Sequence, residues 1–229
     1  MRSYRSLLFS CTVFFVSGCL GPKMINKWVN RHYDGAIPPP QGKANESLSI
    51  TSSITPANER ISNTEKNTSH LLPLVFYWQY DYKNTCVLNP KIAINNVTST
   101  VVSYAGKKGL KQKLQGQRLQ LSIDQVPNTF VVDDKGHLIW IIIYVLGWDV
   151  LTVEPIRTDL VVSYKLLRPD GTEVKNGSLT IPDNDKGIEL KMFQSLKKKT
   201  GQYLDQYDAH ITAMSKAVVD QLITELAQN

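Results

Sequence analysis

Leu138-Ile139-Trp140-Ile141-Ile142-Ile143-Tyr144-Val145-Leu146-Gly147-Trp148 is the longest apolar stretch of this 229-residue chain beyond its first twenty residues, and its reading decides the fold. Eleven positions are too few for a bilayer-spanning helix, which needs about 20. Apolar character on both parities predicts a strand covered on both faces and central in a sheet. Val131 and Val132 lead into it through Asp133-Asp134-Lys135-Gly136, a turn sequence.

Working outward, Leu72, Leu74, Phe76, Trp78, Tyr80 and Tyr82 recur every second residue, which predicts one long strand with these side chains on its core face. Leu119, Leu121 and Ile123 alternate with Gln120, Ser122 and Asp124, giving a strand with one wet face. Leu160, Val162 and Tyr164 predict another, turned at Arg168-Pro169-Asp170-Gly171 into a strand over 174–181. Leu48, Ile50 and Ser52 allow a short edge strand. Asn95 or Asn96 is placed to cap a helix carrying Val97, Val101, Tyr104 and Ala105 that stops at Gly106, with a short helix near Leu110–Leu114. Ile211, Met214, Val218, Leu222 and Leu226 form the apolar stripe of a C-terminal helix over about 208–227, and residues 190–207 are a weaker helical candidate. Strands clustered between helices and joined by short turns define an α+β domain, its mostly antiparallel sheet covered by helices and closed by an amphipathic C-terminal helix.

The N-terminus carries an address. Arg2 and Arg5 precede an apolar run, Leu7–Val16, that ends at Val16-Ser17-Gly18-Cys19. Small residues at 17 and 18 suit an extended passage through a peptidase cleft, and the Cys19 thiol is the acceptor for a diacylglycerol. The segment resembles the signal and lipobox of bacterial prolipoproteins. That resemblance implies cleavage after residue 18, lipid attachment at Cys19, and a place in the cell envelope. Leu20 is not the Asp that resembles an inner-membrane retention signal, so the outer membrane, with the domain facing the periplasm, is expected. The domain plan that follows is a signal peptide over 1–18, a lipidated and mostly flexible tether over 19–70, and one α+β domain over 71–229. Pro38-Pro39-Pro40 stiffens the tether, and residues 34–47, fully extended, reach at most about 50 Å. Within it, Ile25, Trp28 and Val29 share a helical face, so a short membrane-proximal helix over 23–33 is possible.

Charge excludes little. The chain carries +6, which falls to +4 without residues 1–18, a balance that does not argue for nucleic acid. Gly106-Lys107-Lys108-Gly109 resembles the GxxG loop of a KH domain, which would imply backbone approach to nucleotides. The plainer reading is a helix terminated by Gly106 with solvated lysines, and export of the chain decides for it. With Cys11 in the signal and Cys19 acylated, Cys86 is the remaining thiol; its apolar neighbourhood reads as a buried structural cysteine. Asp133, Asp134 and His137 are the residues closest to an acid-base or metal trio, but two acids and a glycine are also what a hairpin turn needs. Tyr80 and Tyr82, near a strand end, are candidates for stacking on sugar rings. Lys197-Lys198-Lys199 reads as a solvated face.

No GxSxG or phosphate-binding loop occurs, and no catalytic residue, metal ligand or cofactor is assigned. The compact part is similar in general style to small envelope lipoproteins, including auxiliary subunits of envelope transport systems, on the strength of size, tether and element order. The expected function is a lipid-anchored, non-catalytic accessory, scaffold or binding subunit of an envelope complex. Its expected partners are the membrane, through the N-terminal lipid, and an envelope protein, with no nucleic acid. A glycan-binding module is the first alternative, and an enzyme using Cys86 or Asp133 with His137 the second.

Overall fold

The computed structural model describes residues 21–42, 47–73, 76–141, 144–190 and 194–227. The lipobox, including Cys19, lies outside these residues. In chain order the described elements are α1 (Pro22–His32), β1 (Leu48–Ser52), β2 (Ser62–Pro73), β3 (Tyr77–Leu88), α2 (Pro90–Lys107), α3 (Leu110–Lys113), β4 (Arg118–Gln125), β5 (Thr129–Ile141), β6 (Tyr144–Pro155), β7 (Leu160–Leu167), β8 (Glu173–Ile181), β9 (Ile188–Leu190) and α4 (Leu196–Ala227). The fold is α+β, as the sequence predicts.

Two sheets share one core. The smaller has the order β1-β4-β7-β8, with β1 parallel to β4 and the remaining pairs antiparallel. Its inward positions are those the alternation predicts: Leu119, Leu121 and Ile123 on β4, and Leu160, Val162, Tyr164 and Leu166 on β7, are all buried. The turn at Arg168–Gly171 also falls where expected, closed by the Gly171 amide donating to the Arg168 carbonyl at 2.9 Å. The larger sheet is antiparallel throughout, in the order β2-β3-β5-β6-β9.

Helix α4 joins the two. It is 32 residues long, about 48 Å at 1.5 Å per residue, and it continues through the weaker candidate region rather than starting at Asp208. On one side the Tyr203 ring lies 5.1 Å from Phe130, and the Tyr207 hydroxyl donates to the Pro127 carbonyl at 2.8 Å, both beside the larger sheet. On the other, Glu225 accepts a hydrogen bond from the Tyr164 hydroxyl, and its carbonyl accepts one from Lys175, both from the smaller sheet. Ile211, Met214, Val218 and Leu222 are buried between them.

Five expectations are corrected. First, much of the segment taken as tether belongs to the body. Ile25 and Val29 of α1 are fully buried, and Asn26 Oδ1 accepts hydrogen bonds from Ser62 (2.9 Å) and Thr64 (2.7 Å) on β2. The stretch after α1 lies along α2, where Asn95 donates to the Pro38 carbonyl and the Gln41 amide donates to Ser99. Second, α2 begins at Pro90, capped by Asn89, whose Oδ1 accepts from the Lys91 amide at 3.0 Å. Proline at N1 costs no helix hydrogen bond, and asparagine before it is a strong cap.

Third, the single strand expected over 72–82 is interrupted: Pro73 pairs with Trp78, so the chain reverses between β2 and β3. Leu72 lies opposite Gln79 and so does not share a face with Trp78, Tyr80 and Tyr82. Fourth, Asp133-Asp134-Lys135-Gly136 is not a turn. It runs straight within β5, and the reversal falls between Ile141 and Tyr144, inside the apolar stretch itself. Fifth, β5 is indeed the middle strand, but the stretch around 138–148 is not covered on both faces, since Leu146 is 55% exposed. Its double-parity apolar pattern belongs to the end of a hairpin that extends past the helices.

Candidate functional site

The outer end of the larger sheet is the feature the body does not account for. The last buried side chains along its strands are Asn84 on β3, Val132 on β5 and Val153 on β6, all fully buried under the helices. From Val132 to Ile141 the strand continues for about 30 Å at 3.3 Å per residue. The strands β2, β3, β5 and β6 therefore extend together as an antiparallel meander well beyond the core.

This extension has two faces. The face continuous with the core carries Tyr82, Tyr80 and Trp78 from β3, and Leu138 and Trp140 from β5. The Trp78 and Trp140 rings are 5.8 Å apart, and Tyr80 stacks on Tyr82 at 5.5 Å. Gly136 is required here: a Cβ at this position would come 2.1 Å from the Tyr80 ring, so the ring lies flat across the backbone of the neighbouring strand. The opposite face carries Lys83, Asp81, Gln79 and Tyr77 from β3 beside Asp133, Lys135, His137 and Ile139 from β5. Asp133 pairs with Lys135 at 3.0 Å and with Lys83 at 3.7 Å, while the Tyr77 hydroxyl meets His137 Nδ1 at 2.6 Å. Asp133 holds the Lys135 ammonium above its ordinary pKa through that hydrogen bond and its charge.

Polarity is graded along the strands. Near the core the outer face is charged; toward the reversals it turns apolar, through Tyr77 and Ile139 to Leu146. Phe76 is 65% exposed and Leu72 41%, whereas Val150, also exposed, lies back along β6 opposite Lys135. Monomeric soluble domains seldom gather such residues at one end, and a patch of this kind marks a binding or membrane surface. Trp and Tyr below an apolar tip, with lysines beneath them, is also the order of groups found at a membrane–water boundary.

The residues singled out from sequence fall as follows. Cys86 is fully buried, and burial pushes its thiol up to about 11, a shift partly opposed by the hydroxyls of Thr64 and Ser62. Asp133 and His137 share a face but stand four residues apart on a strand, about 13 Å, and Asp134 points to the other face. They form no trio, and no cluster of three or more metal-ligating side chains occurs among the described residues. Tyr80 and Tyr82 stack on each other, with the Lys66 ammonium 4.8 Å from the Tyr82 ring, so much of their ring surface is already used.

In Gly106–Gly109, Gly109 adopts φ +67° to start α3. Lys108 pairs with Asp220 of α4 at 3.1 Å and lies over the Tyr104 ring, so one of the loop's two lysines ties helices together. A cleft beside this loop, bounded by Leu48, Val102 and Gln112, encloses about 230 Å³, below the range of about 300–1,000 Å³ typical of small-molecule sites. Lys197 and Lys198 are exposed.

Phe76, Leu146, Val150 and the exposure of Leu72 were not anticipated. The signal was present in the two apolar stretches, 71–78 and 138–148, each of which holds a chain reversal rather than one strand. No family model, curated protein or solved structure matches this chain.

Proposed function

We propose that this chain is a lipid-anchored, non-catalytic scaffold subunit of the bacterial envelope, expected on the periplasmic side of the outer membrane, that also enters the bilayer with the end of its larger sheet. The observation that carries the reading is the apolar, aromatic-belted end of the β2-β3-β5-β6 meander. Burying side chains of the size of Phe76 and Leu146 in hydrocarbon favours insertion by about 1.5–3 kcal/mol each. Cys19 lies three residues before α1, about 11 Å at full extension, and α1 packs on β2. These contacts lie at Ser62 and Thr64, at least about 26 Å along β2 from Leu72 at 3.3 Å per residue, so the lipid and the sheet end are two separate points of attachment.

Two measurements test this. Metabolic acyl labelling should mark the wild-type chain and not Cys19→Ala; a labelled variant would overturn the anchor. The unacylated Cys19→Ala protein should still float with vesicles of phosphatidylethanolamine and phosphatidylglycerol, with a blue shift in tryptophan emission from Trp78 and Trp140. Adding Phe76→Asp and Leu146→Asp should end flotation while leaving the melting temperature in place. Flotation that survives both aspartates would remove the sheet end from the membrane.

A further inference from the structure

Among the described residues the projecting meander has two edges without a strand neighbour. β2 is the first strand of its sheet, and among the described residues it has no neighbour on its outer side. At the other side, β9 pairs with β6 only at Leu151–Val153, so Tyr144–Val150 has no outer partner among the described residues. The β2 edge runs from Ser62 near the core to Pro73 at the apolar end, and the β6 edge from Tyr144 at that end back to Val150, opposite Lys135. Open edges in water are sites of unwanted strand pairing, and open edges in hydrocarbon leave amide and carbonyl groups unbonded at several kcal/mol each. Resting on the reading that this end enters a bilayer, the edges need a strand partner.

Direction supplies one. β2 runs from the core toward the tip, β3 returns, β5 runs out and β6 returns, as the pairs Ser62 with Leu88 and Ile141 with Tyr144 fix. Two copies standing side by side with their tips in the same plane bring an outgoing β2 against an incoming β6. The junction is antiparallel, so the up-down order continues across it unbroken. Each copy contributes four strands and therefore an even number, and closed meanders in membranes are built from antiparallel strands in even number in bacterial single-chain barrels. The two edges differ, so the contact is head-to-tail, a geometry that propagates from copy to copy and gives a ring where the rotation between copies closes.

We infer that the partner of this sheet is a second copy of the chain, joined β2 to β6 along the segments near Leu72 and Leu146, in a ring whose sheet ends form a closed, membrane-embedded meander. Asn67 stands at a register shift between Lys66 and Thr68, and Pro73, which lacks an amide, ends β2. These features limit pairing to the outer part of the strand, where the membrane would be.

The test uses the full chain in intact cell membranes. Leu72 and Leu146 are exposed, and their registers place them on the same face, opposite Gln79 and Ile139. Oxidation of the double variant Leu72→Cys with Leu146→Cys should give a ladder of disulfide-linked species extending beyond the dimer, since each copy carries one cysteine of each kind. Leu72→Cys or Leu146→Cys alone should give no crosslinked species. Val150→Cys in place of Leu146→Cys covers a stagger of four residues along the strand. Absence of a ladder from both double variants, in protein that remains in the membrane and melts as wild type, would overturn the inference. A dimer from either single variant would overturn it as well, because that product needs a like-with-like edge. A ladder formed by protein whose unacylated variant does not float with vesicles would keep the ring and refute membrane entry.

Discussion

Cys86 shows how burial alone decides what a side chain can do. Fully buried beneath the helices, its thiol is held at about 11 against an ordinary 9.0, because the thiolate would lose its water. The raised value favours the protonated form in the folded state, so this contribution is complete below about pH 9 and is lost as pH rises toward 11. Two pH units correspond to about 3 kcal/mol. Denaturant titrations at pH 8, 9.5 and 11 should therefore show the wild type losing more stability over this window than Cys86→Ala; equal losses would show the thiol does not titrate as burial requires. Alkylation of folded protein at pH 8 should be slow and should accelerate on unfolding. The neighbourhood Asn84-Thr85-Cys86-Val87-Leu88 made the buried thiol legible in sequence. The separation of Asp133 from His137 was not, because acids and a glycine in a row have the same composition in a turn as in a strand where Asp133 is met by Lys135 on its own strand and Lys83 on the next. Lys83, which makes that difference, is fifty residues away in the chain.

Among the elements, strands inside the body were legible and strands outside it were not, for one physical reason. Where a strand has one covered and one wet face, as in β4 and β7, alternation records the burial directly. β3 and β5 pass from the helix-covered core into a second apolar environment, and a hairpin end that is apolar on both faces leaves the same pattern as a central strand. The consequence is a contrast between two substitutions. Trp140, only half-buried and beyond the last fully buried residues, should tolerate Trp140→Asp with little change in melting temperature, whereas Ile211→Ala on α4 should cost about 2–5 kcal/mol through the cavity it leaves. Thermal melts of the two variants check this, and an unfolded Trp140→Asp protein would return the strand end to the core. α2 was misplaced at its start because Asn95 and Asn96 compete as caps on paper. In the fold Asn96 instead accepts from the Thr212 hydroxyl and donates to the Asp208 carbonyl, stitching α2 to α4.

At the scale of the molecule, α4 is the element on which both sheets depend. Removing the chain from Asp208 onward takes away Ile211, Met214, Val218 and Leu222 and uncovers both sheets at once. The truncated protein should bind a hydrophobic dye, lose its sharp melting transition and aggregate; a monomeric, sharply melting product would show that the two sheets close without the helix. The position of α4 in the chain adds a temporal constraint. It leaves the ribosome after all the described strands, and its core contacts include residues made much earlier, such as Phe130 and Pro127. A growing chain therefore has no complete core to collapse onto until α4 has emerged. Its apolar strands stay available to holding chaperones until then, which is the state in which a polypeptide can still be threaded through a narrow channel.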